Sequence, residues 1–133
     1  MIKIFTHNDK DINVDGTSLI GYIKIDYDIL FMMFGVPTAG DEYKSDAEWE
    51  IELKDGKKKS QVFTIYNWKD GVNYNGEDGF PVEIITDWHI GGNSPLNLLN
   101  DYMIQYVLEH GEVFLECALD KPVFIISDKS KLF

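Results

Sequence analysis

The residues best placed to do chemistry lie in one run, Asp87-Trp88-His89-Ile90-Gly91-Gly92-Asn93-Ser94. Asp87 and His89 are two apart, so on a strand they share a face. With Ser94 they would supply acid, base and hydroxyl for a weak hydrolase. No nucleophile-elbow motif accompanies them, and there is no Walker motif or dinucleotide fingerprint. No residue is therefore assigned a catalytic role. The same run also suits ligand binding. Its glycines let a ligand approach the backbone, Trp88 offers a ring face, and the start of a following helix offers free amides, although Pro95 lacks one. Tyr66, Trp68, Trp88, His89, Gly91, Gly92, Asn93 and Ser94 are the candidate ligand residues, with a small nucleotide signal as the candidate ligand. The competing reading is a plain strand-to-helix loop around a core tryptophan.

Metal chemistry is poorly supported. Residues 11–16 match the first half of a calcium loop, but Tyr22 stands where the closing glutamate belongs. His7, His89 and His110 have no ligand spacing between them, and Cys117 has no thiol partner. No metal and no cofactor is expected.

A second constellation is acidic. Asp46, Glu48, Glu50 and Glu52 alternate with Ala47, Trp49, Ile51 and Leu53. Strict period two puts the acids on one strand face and the apolar residues on the other. Same-face neighbours lie roughly 6.5–7 Å apart, a spacing loosely like that of phosphates along a nucleic-acid strand. With Asp41 and Glu42 the row forms a candidate protein-binding surface for a basic partner. The alternative is a solvated strand face, partly neutralised by Lys57, Lys58 and Lys59.

The elements that must position these groups follow from pattern and punctuation. Residues 2–6, 19–25, 46–54, 62–68, 82–88, 113–117 and 123–126 are expected strands. Asp15-Gly16 and Asp55-Gly56 mark turns, and a Gly/Asn-rich loop ends at Gly79. Asp26 would cap a helix over residues 27–34, ended by Gly35 and Pro37; a buried strand is the rival there. Ser94-Pro95 would open a second helix running to Gly111. The expected fold is α+β: a mostly antiparallel sheet of six or seven strands, with two helices on one face, in one domain.

The chain has 133 residues and a net charge of −11. All 12 of its bases are lysine, with no arginine, against 23 acids. Arginine is the residue that grips phosphate and guanine in two-pronged fashion. Its absence, with the negative total, disfavours direct nucleic-acid binding and anionic membranes, and favours basic partners. No apolar stretch is long enough to span a bilayer, and the opening residues lack a signal pattern. A cytoplasmic setting is expected.

Three segments carry a resemblance: Ala47-Glu48-Trp49-Glu50-Ile51, residues 63–71 (Phe-Thr-Ile-Tyr-Asn-Trp-Lys-Asp-Gly) and Trp88-His89-Ile90-Gly91-Gly92. With Phe34-Gly35-Val36-Pro37, they make residues 19–108 resemble a group of small proteins carried by bacteriophages and large DNA viruses. That resemblance implies a viral, intracellular origin and carries no catalytic residue across. It implies an accessory protein of the host cytoplasm, which would block a host defence or nucleic-acid-handling protein through its acidic surface.

Overall fold

The structure is a computed structural model and describes residues 1–114 and 122–130. Six strands, β1 (Ile2–Thr6), β2 (Ser18–Lys24), β3 (Glu48–Asp55), β4 (Gln61–Tyr66), β5 (Asp87–Gly92) and β6 (Ile125–Asp128), form one antiparallel sheet in the order β1-β3-β4-β5-β2-β6. Four helices accompany it: α1 (Tyr27–Phe34), α2 (Val72–Asn75), α3 (Asn97–Glu109) and α4 (Gly111–Phe114). The α+β expectation holds, with the sheet antiparallel throughout.

Period two in β3 sets the two sides of the sheet. Trp49, Ile51 and Leu53 are fully buried, while Glu48, Glu50 and Glu52 are half-buried on the opposite side. Phe63 and Ile65 of β4, Trp88 and Ile90 of β5, and Ile23 of β2 extend the apolar side. Helix α1 lays Ile29, Leu30, Met33 and Phe34 on it, and α3 adds Leu99 and Met103. The helices also meet each other: the Tyr102 and Phe34 rings lie 6.0 Å apart, and the Tyr106 hydroxyl donates to the Met32 carbonyl at 3.1 Å.

Two tryptophans fix where α1 sits. Trp49 Nε1–H donates to the Gly35 carbonyl at 2.7 Å, and Trp88 Nε1–H to the Ile25 carbonyl at 3.1 Å. One bond lies just beyond each end of the helix. A buried indole N–H without a partner would cost about 1–3 kcal/mol, so these bonds specify position as well as burial. Gly35 adopts φ +83°, a left-handed conformation that glycine accepts without strain, and its amide closes on Phe31. Asp26 does not cap α1 through its side chain as expected; its carbonyl accepts the amides of Ile29 and Leu30 instead.

Several boundaries differ from the sequence reading. Residues 82–84 form a 3-10 turn after Pro81, and the strand begins only at Asp87, so β5 runs through residues 88–92, which the sequence presents as loop. The cause is positional: β5 lies between β4 and β2, and pairing on both sides outweighs two glycines. Helix α3 starts at Asn97 with Leu96 before it, so Ser94 is not its cap. Residues 111–114 are helical, which overturns the start of the expected 113–117 strand. The rest of that strand, with Cys117, lies outside the described residues. The closing strand falls at Ile125–Asp128, not at residues 123–126.

The expected 62–68 strand stops at Tyr66 because Asn67 turns the chain. Asn67 is fully buried. Its Oδ1 accepts the amides of Asp46 (2.7 Å) and Ala47 (3.1 Å), and its Nδ2 donates to Asp46 Oδ1 (2.9 Å) and Asp70 Oδ1 (3.0 Å). Replacing it strands two amide donors. Asn67→Leu is expected to lower unfolding free energy by about 2–4 kcal/mol, measured by urea denaturation. A loss below 1 kcal/mol, roughly the worth of one ordinary hydrogen bond, contradicts the hub role.

Candidate functional site

The helix-free side of the sheet is where chemistry-bearing residues collect. Cross-strand register makes one row of Glu48, Tyr66, His89, Tyr22 and Ser127 on β3, β4, β5, β2 and β6. A second row joins Glu50, Thr64 and Gly91. His89 is therefore flanked by rings: Tyr22 edge-on at 5.1 Å, Tyr66 at 5.6 Å, and Trp68 stacked at 6.2 Å. Burial lowers the His89 pKa, and the charge of Asp70 partly opposes this. Asp70 is itself pushed up, chiefly by its own burial.

Trp68 is shared by two hollows on this surface. One, about 230 Å³, is lined by Asp41, Glu48, Thr64, Tyr66, Trp68 and Gly91, with the Ser18 and Ser45 segments at its rim. The other, about 300 Å³, is lined by Tyr22, Lys24, Trp68, Asp70, Asp87, Trp88 and His89. Gly91 gives the first hollow its depth, because a Cβ there would run into Thr64 Oγ1.

The candidate ligand residues thus separate. Tyr66, Trp68, His89 and Gly91 come together. Trp88 borders the second hollow, but its side chain is buried with its N–H committed to Ile25, so it offers no free stacking face. A Cβ on Gly92 would point toward Ile20 and Phe63, away from the hollows. Asn93 and Ser94 follow the strand end, and the Ser94 hydroxyl bonds Asn93 Oδ1 at 3.4 Å. Asp87 pairs with Lys24 at 2.7 Å. The Asp87, His89 and Ser94 grouping is therefore not assembled as a nucleophile with its base. Tyr22, Thr64 and Asp70, which sequence reasoning missed, belong to the site. Tyr22 alternates with Ile23 and Lys24, but only the β2–β5 register brings it to His89.

The acids sort by what they touch. Asp41 Oδ1 accepts the amides of Tyr43, Lys44 and Ser45 at 2.8–2.9 Å, which holds its carboxyl below the usual range. Asp46 holds Asn67 and accepts the Asn73 amide at 3.1 Å. Glu52 pairs with Lys10 at 2.8 Å. Glu42 is exposed at a loop residue with φ 62°. Glu48 and Glu50 differ from the rest in lying side by side, half-buried, on the strand face, and among the described residues no lysine lies within 4 Å of either. Burial drives the Glu48 pKa up to about 7, aided by the charge of Glu50, a hydrogen bond to it, and Asp41. The expected acidic row is thus interrupted, with Asp46 and Glu52 engaged by their own chain. It lies on an interior strand between β1 and β4, so it is a face and not a sheet edge.

His7 acts structurally. Its Nδ1 accepts the Glu50 amide at 3.2 Å, so Nε2 carries the proton and donates to the Val36 carbonyl at 2.7 Å. No group of three or more His, Cys, Asp or Glu side chains suited to a metal occurs among the described residues. None of the described helices is long and apolar enough to cross a membrane. Comparison with known proteins gives no matching family, no matching curated protein and no matching solved structure.

The raised Glu48 pKa has a stability consequence. Its ordinary value is 4.5 and its folded value about 7. The folded state therefore holds the proton more tightly, and stability falls as pH rises through that window. Glu48→Gln removes the charge at every pH. It is expected to raise stability by about 1–2 kcal/mol near pH 8, after discounting for solvent screening, and to change little near pH 4. Thermal melts at both pH values check this; equal shifts at the two would contradict it.

Proposed function

We propose that this chain is a non-enzymatic binding protein that recognises a basic protein surface through the helix-free face of its sheet. The observation that carries this reading is the Glu48–Glu50 pair: half-buried, held on strand backbone, and with no lysine within ion-pair distance among the described residues. Exposed aromatics border it. Tyr43, Trp68 and Tyr74 are 58%, 39% and 40% exposed, and such residues supply much of the energy of protein interfaces. The total charge of −11 would speed encounter with a cationic partner.

In the setting that the resemblance to phage and large-virus proteins implies, the partner is a host protein of defence or nucleic-acid handling. It is met in the host cytoplasm, and the acids occupy its basic groove. A nucleotide is a poorer fit to the same surface. Trp68 and His89 offer rings, but Glu48, Asp70 and Asp87 surround them, and Lys24 is already paired.

Polylysine serves as the probe. Binding is expected to weaken steeply with added salt, because it rests on charge near the surface. Glu48→Lys with Glu50→Lys is expected to weaken it at least about tenfold. Glu77→Lys with Asp78→Lys makes the same charge change on the exposed 76–78 turn and is expected to have a much smaller effect. Equal losses in the two double variants would reduce the effect to net charge and remove the face reading.

A further inference from the structure

The hollow beside Glu48 has the shape and chemistry of a receptor for one planar cation. Its walls are the rings of Tyr66 and Trp68, with centroids 6.0 Å apart and planes at 76°. One ring therefore presents its face where the other presents its edge. Its acidic side is Glu48, which also lies near Asp41, with Glu50 just outside the lining, two residues along the same strand face and hydrogen-bonded to Glu48. Its floor is Gly91 and the buried Thr64, and the Ser18 carbonyl lies 3.7 Å from where a Gly91 Cβ would stand.

We propose that this hollow seats the guanidinium of an arginine side chain of the protein partner, stacked on Trp68 or Tyr66 and bonded edgewise to Glu48 and Glu50. The proposal rests on the face reading above and adds the side chain that the face selects.

Charge complementarity argues for a cation, and two features argue for arginine over lysine. Guanidinium is planar and weakly hydrated, so it stacks on a ring and leaves water at lower cost than ammonium. Its five N–H groups form a fork that matches a carboxyl pair, with one to spare for a carbonyl such as that of Ser18. The chain's own ammonium groups already reach the aromatic rim: Lys44 Nζ is 5.4 Å and Lys69 Nζ 5.8 Å from the Trp68 ring centre. An incoming lysine therefore competes with local lysines for the same kind of contact. A guanidinium must displace the same ammonium groups, and its advantage is the flat stacking and the forked bonding that they lack.

The test uses the whole chain labelled with nitrogen-15 and two blocked tripeptides, acetyl-Gly-Arg-Gly-amide and acetyl-Gly-Lys-Gly-amide. The arginine peptide is expected to shift the amides of Thr64 and Gly91 and the Trp68 indole N–H. It should bind about fivefold or more tighter than the lysine peptide. Glu48→Gln and Trp68→Leu, each at an exposed or half-buried position, should each abolish that preference while the rest of the spectrum stays folded. Equal binding of the two peptides, or shifts scattered over the surface with none at Gly91, would overturn the receptor. Salt-sensitive polylysine binding would then decide separately whether the face reading stands.

Discussion

Everything on the open face depends on how α1 is held on the other. Trp49 and Trp88 stand edge to face in the core, 5.4 Å apart, and each spends its indole N–H on a backbone carbonyl flanking α1. Tyr27 lies against both rings, at 5.7 and 6.4 Å. The adjoining bends are held from β1 as well. Asn8 Nδ2 donates to the carbonyls of Phe34 and Val36, and His7 Nε2 to that of Val36. Because the same tryptophans fill the apolar side of β3 and β5, their neighbours in sequence, Glu48, Glu50 and His89, are forced to the opposite side. The acidic and aromatic surface is the obligatory reverse of a well-fastened core.

This explains how much could be read from the chain alone. Alternation in β3 is unambiguous, so the side of Glu48 and the burial of Trp49 follow from sequence. The 27–34 helix was legible for a similar reason, with Gly35 where a left-handed residue is needed. The 88–92 stretch was not legible, because Gly91 and Gly92 mark a loop in a single chain. They are tolerated in a strand only because Thr64, Ile20 and Phe63 fill the space beside them. Those partners come from β4 and the β2 bulge, and cross-strand register is a tertiary fact.

The acidic row makes the same point about the candidate site. Six acids between positions 41 and 52 look alike in sequence. In space, Asp41 and Asp46 build turns, Glu52 has its lysine, and Glu42 faces water at a left-handed residue. Glu48 and Glu50 stand side by side on the strand face with no described lysine in ion-pair reach, and the charge of Glu50 helps to raise the Glu48 pKa. Formal charge counting weighs all six equally; burial on the strand face singles out one closely spaced pair.

Gly71 ties a distant segment to that pair. Its backbone lies so close to the Asp46 carboxylate that no larger residue fits, and the same carboxylate accepts the Asn73 amide at 3.1 Å. The strip carrying Val72, Tyr74 and Phe80 is thereby buttoned to the residue two positions before Glu48. The outer aromatic rim is thus anchored, through the single side chain of Asp46, to the segment that leads into β3 and its carboxyl pair.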